Sequence, residues 1–544
     1  MLITPNGESA NNIDPVMAMA IWSRVLLEEG RDIYRMGMGK PTYPLVPIAP
    51  ETALSYWCDL TLRTRLASAT LSVFGAMSYC FPENQCLTSQ LGSCLKFLLP
   101  VVDYGDPQGE LSAREKMAEA LSRWYRVDIQ AENVLFTVGG SSGIRISCEV
   151  VNKISTVGTV LTTAPYYTLY KDAITRTGKI FGIPIMSSSK WTLTAEALEK
   201  AIKTVYERDG KYPVGLLFCD PNNPLGTMLD REELLKIAEV LSRYPDIIVI
   251  LDEAYAEMRL NGERLSLFSL ANADLQKRII LLRSATKALS ASGERMAVAV
   301  TLSPMLMNKL IAEHVSVNGH APISLQMPFA ESMNALALAE RHPMISYYER
   351  KVRLVERRLA RMGVTVFESH KTTATFYVIA NLKDFIGTPF SQSANRAIKK
   401  QEDSRLIESD EEIAYHLLFD YGLMVCPLSY FGPSKQLGYV RITCSLSETE
   451  LTKAMDLLET ALNGARMYII DKKYQLVFGA DLSSKENTDV STVNKMLNVL
   501  NAVEREQRED IYKVRYGKNP SDVLIKFFAN RYPKNSRYLS NLVP

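Results

Sequence analysis

The sequence predicts an α/β fold: a mostly parallel sheet covered by helices, joined to a smaller α+β domain and followed by a C-terminal extension. Three observations predict it. Over residues 101–300, short apolar runs rich in β-branched residues recur, with helix-patterned segments between several of them. That alternation marks crossover units, whose strands run parallel and are covered on both faces. Beyond residue 340 the pattern changes to a long charged helix, a strand and a further helix, the makings of a second, smaller unit. At 544 residues the chain also exceeds what a single core holds.

In chain order, residues 1–100 read as an N-terminal arm and part of the small domain, with extra sequence between Pro50 and Tyr104 that contains four cysteines. Residues 101–335 read as the large domain. Its strands are "NVLFTV", "GTVLTTA", "KIFGIPI", "GLLFC", "IIVILD", "RIILLRS" and "MAVAVTL", and "DREELLKIAEVLSRY" is typical of the helices between them. Residues 336–465 read as the C-terminal part of the small domain. They begin with the helix "ERHPMISYYERKVRLVERRLARMG" and the strand "TFYVIANL", and end with the strand "YVRITCSL" and the helix "SETELTKAMDLLETALNG". The polar run near 383–412, with "KKQEDSRLIESDEE", reads as a flexible or inserted segment. Residues 466–544 read as a C-terminal extension, whose helix would carry Val493, Met496, Leu500 and Val503 on one stripe.

Composition narrows the class. The chain is 47% hydrophobic and 22% charged, and 62 basic against 60 acidic residues give a net charge of +2. That balance speaks against a general nucleic-acid binder. The N-terminus lacks the basic start and apolar run of a signal peptide, and "ATLSVFGAMSYCF" is too short for a membrane span, so no membrane association is expected. The eight cysteines form no CxxC and sit mostly in apolar surroundings, which fits reduced thiols in a cytoplasmic compartment. Five histidines at no metal-binding spacing argue for no metal site.

Ligands in open parallel sheets lie at the carboxyl ends of the strands, so the polar residues there are the candidates. After "NVLFTV" comes Gly139-Gly140-Ser141-Ser142-Gly143 opening a helix, either an anion site or an ordinary structural turn. After "GTVLTTA" come Tyr166, Tyr167 and Tyr170, each a core residue or a stacking platform. After "GLLFC" comes "DPNNPLGT" with Asn223, and "IIVILD" ends in Asp252, with Tyr255 three residues on. An aspartate ending an apolar strand needs a cationic partner. Lys287 sits in "SATKALSASGER", three residues after Ser284 and eight before Arg295.

Taken together, these residues resemble the fold-type I, class I/II pyridoxal-phosphate (PLP) aminotransferases, over roughly residues 30–465. The signature lysine motif reads Ser284-Ala285-Thr286-Lys287 with Arg295, Asn-Pro-x-Gly reads Asn223-Pro224-Leu225-Gly226, and Asp-x-x-Tyr reads Asp252 to Tyr255. Tyr104 through Gly109 to Arg114, and Arg441 in "GYVRITCS", complete the pattern. The resemblance implies an enzyme that exchanges an amino group between an amino acid and a 2-oxo acid. It implies that Lys287 forms a Schiff base with PLP and then serves as general base, and that Asp252 holds the pyridine nitrogen. It further implies Asn223 and Tyr255 on the phenolic oxygen, Tyr167 on the ring face, and Gly140, Ser141, Ser284 and Arg295 on the phosphate. Tyr104 would reach the phosphate of a neighbouring subunit in a homodimer. Arg441, with Gly39 and Asn223 nearby, would bind the substrate carboxylate. "NPLGT" also resembles the aminocyclopropane-carboxylate synthase branch, so a PLP-dependent lyase or decarboxylase is the alternative.

Overall fold

The computed structural model describes residues 2–5, 7, 14–43, 52–56, 58–59, 62, 104–154, 158–186, 188, 190–339, 342–366, 371–399 and 406–478. A seven-stranded sheet forms the centre. Its strands are β2 (Val134–Val138), β3 (Thr159–Ala164), β4 (Lys179–Pro184), β5 (Gly215–Cys219), β6 (Ile248–Asp252), β7 (Ile279–Ser284) and β8 (Met296–Val300), in the order β2-β8-β7-β6-β5-β3-β4. The β4, β3, β5, β6 and β7 neighbours pair parallel, while β8 runs antiparallel to both β7 and β2. The reversed β8 therefore begins where its parallel neighbours end. That places Arg295, the residue before it, at the carboxyl edge of the sheet.

The sheet is covered on both faces, which explains the uninterrupted apolar runs. Along β6, Ile248 and Ile250 join one core cluster while Val249 and Leu251 join another on the opposite face. Helix α2 (Leu111–Tyr125) contributes Met117, Leu121 and Tyr125 to the second cluster. Helix α3 (Gly139–Ile154) contributes Ile144 and Cys148 to the first. The helix ends follow local chemistry. Asp230, before Arg231–Arg243, accepts from the Glu233 N–H, and Gly210 closes Ala195–Asp209 in a left-handed conformation at φ +67°.

The small domain is built on an antiparallel sheet of β11 (Cys426–Pro427), β12 (Tyr439–Thr443) and β9 (Tyr377–Asn381), in that order. The N-terminal arm adds to it. After α1 (Pro15–Glu28), strand β1 (Tyr34–Arg35) pairs in parallel with β10 (Leu423–Met424), and the Trp22 indole donates to the Ile3 carbonyl at 2.7 Å.

Two expectations need correction. The polar segment near 383–412 is no loose insert where it is described. Phe385, Phe390, Ala394, Ala397, Ile398 and Ile407 are buried in the first core cluster, Pro389 bridges Leu406, and Ile398 bridges Leu2. Spaced apolar anchors among polar residues hold it down. The boundary at 465/466 falls inside one continuous helix, α4 (Glu448–Phe478), because Gly464 does not end it. An isolated glycine costs a helix only about 1 kcal/mol. The stripe of Val493, Met496, Leu500 and Val503, and most of residues 50–103, lie outside the described residues. Among the described residues no helix is long and apolar enough to cross a membrane, and no cluster of His, Cys, Asp and Glu could hold a metal ion.

Candidate active site

The carboxyl ends of the strands converge with the small domain on a cavity of about 320 Å³. Gly39, Gly140, Ser141, Tyr167, Asn223, Asp252, Tyr255, Ser284, Lys287, Arg295 and Arg441 all line it. These residues come from eight separate stretches of chain, and the topology alone brings them together. Tyr104 is not among them. It is 91% exposed and lies edge-on to His320, with ring centres 6.0 Å apart.

The cavity's centre is set by Lys287 and Asp252. Lys287 sits in a one-turn helix (Ala285–Ala288) directly after β7, and its amine donates to the Gly39 carbonyl. Burial, followed by the nearby Arg441 and Arg295 charges, depresses its pKa to about 7, against a smaller opposing effect of Asp252. A substantial share of the amine is therefore neutral near physiological pH. Asp252 ends β6 and is buried. The Tyr170 hydroxyl donates to its Oδ2 at 2.7 Å and the Ala254 N–H to its Oδ1 at 3.0 Å. Burial still raises the pKa of this carboxyl, because neutral donors alone do not replace water around a buried anion.

One end of the cavity is built for an anion. Gly140 and Ser141 lie in the first turn of the 16-residue α3, where backbone N–H groups are free and the helix dipole is positive. Arg295 approaches the same turn, and a Cβ on Gly139 would lie 2.7 Å from its Nη2. Gly139 has φ +73° and Arg295 itself φ +53°, so both backbones are in the left-handed region. The Ser284 Oγ accepts from the Thr286 N–H at 3.2 Å while facing the cavity.

The other end carries Arg441 on β12. Its Nη1 donates to the Asn223 Oδ1 at 2.8 Å and its Nη2 to the Gly37 carbonyl at 2.8 Å, while its buried Nε has no hydrogen-bond partner. The guanidinium lies over Tyr377 and Phe431, 4.3 and 4.8 Å from their ring centres. The Tyr255 hydroxyl is 2.7 Å from that of Tyr377.

PLP fits these residues. Its aldehyde calls for a neutral amine, its protonated ring nitrogen for a buried carboxylate lacking a cation, and its phosphate for free N–H groups beside a guanidinium. Lys287, Asp252 and the α3–Arg295 turn offer these in turn. The orphaned Nε of Arg441 leaves donor capacity for a carboxylate.

The sequence pattern described as aminotransferase class I and II matches residues 100–458. The chain belongs to that family. A probable aspartate/prephenate aminotransferase of Rickettsia felis is 26% identical over 365 residues, covering 66% of this chain and 81% of that protein. The aspartate aminotransferase of Pyrococcus horikoshii is 27% identical over 363 residues, covering 65% and 81%. Among solved structures, an aspartate aminotransferase from Thermus thermophilus superimposes with a TM-score of 0.61 at 18% identity, covering 82% of this chain and 96% of that one. Another from Rhizobium meliloti gives 0.61 at 19%, covering 83% and 96%. The fold is thus that of the fold-type I aminotransferases, and the chain is an enzyme of this family.

Sequence reasoning missed several cavity residues. Asp14 lines the cavity while capping α1 through the Val16 and Met17 N–H groups, and its distance in sequence from the other motifs hides it. Tyr377 is embedded in an apolar strand. Tyr170, which the sequence offered as a core or stacking residue, lies buried behind the cavity wall as the hydrogen-bond partner of Asp252. Arg114, part of the tyrosine-to-arginine pattern, is structural: it is buried, and its Nε donates to the Gly109 carbonyl at 2.7 Å.

Proposed function

We propose that the enzyme exchanges an amino group between an amino acid and a 2-oxo acid, with PLP held in the cavity and Lys287 as the amine bonded to it. The observation that carries this reading is the depressed, cavity-facing amine of Lys287 between Asp252 and Arg441. PLP, when bound, supplies an aldehyde for the amine and an electron-withdrawing ring. Everything else falls to the chain. Asp252, oriented by Tyr170 and the Ala254 N–H, holds the ring nitrogen's proton. Asn223 and Tyr255 serve the phenolic oxygen, Tyr167 the ring face, and Gly140, Ser141, Ser284 and Arg295 the phosphate. Arg441 holds the substrate carboxylate as a two-donor fork, against which Gly39 leaves room. As a free amine beside the bound substrate, Lys287 would move the Cα proton, and a pKa near 7 suits that role.

The same reading makes the enzyme a homodimer, in which the exposed Tyr104 reaches the phosphate end of its partner's cavity. A cytoplasmic setting accords with the buried free thiols of Cys148, Cys219, Cys426 and Cys444. A half-reaction screen tests the function. The protein reconstituted with PLP is mixed with single amino acids, and absorbance is followed alongside 2-oxo acid release. Stoichiometric conversion to the aminated cofactor with one 2-oxo acid supports transfer. Release of carbon dioxide or an eliminated fragment instead assigns a lyase.

A further inference from the structure

Tyr377 lies under Arg441 at one end of the cavity and reaches across to Tyr255, yet none of the family motifs contains it. It lies on β9, only 1% exposed, two residues from Ile379, whose Cα partner in the sheet is Arg441. Residues two apart on a strand share a face, so the Tyr377 ring comes to lie beneath the Arg441 guanidinium, 4.3 Å away. Its hydroxyl extends beyond that ring to Tyr255, on the large domain, at an O···O distance of 2.7 Å. It also fills the space beside Gly39, where a Cβ would lie 2.2 Å from it. The glycine at 39 is therefore required by the position of this hydroxyl.

One hydroxyl of the pair must donate. Burial raises the pKa of both, and the Arg441 charge opposes the rise at both, as the foremost opposing effect at Tyr377 and the smallest of the causes at Tyr255. The Arg441 guanidinium, 4.3 Å from the Tyr377 ring centre, draws electron density from that ring and makes its hydroxyl the better donor. The groups facing it are Tyr255 after β6, Arg441 on β12, Cys219 on β5, Cys426 on β11 and Tyr167 before the helix Leu169–Thr175; Arg441 is the only cation among these. A Tyr255 oxygen that accepts from Tyr377 must send its own proton elsewhere. Accepting a hydrogen bond also strengthens a hydroxyl as a donor.

We propose that Tyr377 is a positioning residue: its hydroxyl donates to Tyr255 and thereby directs the Tyr255 proton into the cavity, toward the oxygen that the cofactor's phenol would present. This rests on the proposed function, because it gives Tyr255 that role.

The test uses full-length protein reconstituted with pyridoxal 5′-phosphate. In Tyr377→Phe the ring stays under Arg441 and only the hydroxyl is lost. The midpoint of the lysine-bonded cofactor's absorbance titration should rise by about 0.5–1 pH unit, since the phenolic anion loses part of its support. Turnover should fall about 3–10-fold, with KM for the amino acid within about twofold. In a Tyr255→Phe background the same substitution should leave the midpoint unmoved, because its route is gone. Gly39→Ala, which displaces the hydroxyl, should shift the midpoint in the same direction and reads the same quantity if Tyr377→Phe fails to fold. An unmoved midpoint in the single variants, an equal shift in the Tyr255→Phe background, or a defect confined to KM overturns the proposal while the function stands. Absence of any lysine-bonded cofactor in the unsubstituted protein overturns both.

Discussion

Asp252 and Glu253 are neighbouring carboxylates at the end of β6, and they face opposite sides of the sheet. Asp252 faces the cavity. Glu253 faces the α2 side, where the Tyr125 hydroxyl donates to its Oε2 at 2.5 Å and Arg283 donates to the Tyr125 oxygen at 2.5 Å. The same split recurs on β7. Ser284 lines the cavity, whereas its neighbour Arg283 is buried against Glu257. Burial and pKa shifts therefore do not distinguish the two faces. Burial raises Asp252 and drives Glu253 to about 7, with Arg283 opposing the rise at Glu253. What distinguishes them is that the Glu253 network closes on Arg283 within the fold, while the hydrogen bonds of Asp252 come from neutral donors and its remaining face, with the Lys287 amine, opens on the cavity. A buried carboxylate with neutral hydrogen-bond donors and an open cavity beside it marks where a ligand belongs.

Substitutions on the two faces should accordingly have unlike effects. The largest is expected for Lys287→Ala, which should cut turnover at least about a thousandfold while leaving a folded protein that still holds PLP non-covalently; steady-state rates with circular dichroism check it. Asp252→Asn would remove the proposed partner of the ring nitrogen and should lower turnover by about 100–1,000-fold without changing the unfolding midpoint much. Near-normal turnover would dissolve the distinction between the faces. Arg441→Lys keeps the charge but loses the fork, and should raise KM for the amino acid about 10–100-fold. Tyr104→Phe should weaken PLP binding by about 0.5–3 kcal/mol in a protein that light scattering shows to be a dimer. Smallest in its effect on turnover is Glu253→Gln, which should leave it within about threefold. Its signature is in stability. Because native Glu253 titrates near 7 instead of at 4.5, the native state holds a proton between those values that the unfolded chain has released. The stabilisation from this group is full below about pH 4.5 and is lost as pH rises to 7. Glu253→Gln should remove that part of the decline in urea midpoint between pH 5 and 7.5.

The cavity-facing residues at strand ends were legible in the sequence because parallel strands are unbroken apolar runs, so a polar residue just past one stands out. That is how Asn223, Asp252 and Lys287 were found. Glu253 and Arg283 sit at equally visible positions, but only the two core clusters reveal which face each takes. Tyr377 was illegible for a different reason. Its neighbours in sequence are apolar, and its place beside Arg441 depends on the β9–β12 register across 64 residues of chain. The 383–412 segment misled because its polar residues outnumber the anchors that bury it.

The central claim is that Lys287, and no other lysine, is the amine that bonds the cofactor. Reconstitution with pyridoxal 5′-phosphate, borohydride reduction and peptide mass spectrometry test it directly. The account predicts a single pyridoxyl adduct on Lys287, in the peptide carrying "SATKALSASGER". An adduct on a different lysine, or none at saturating cofactor, would contradict it.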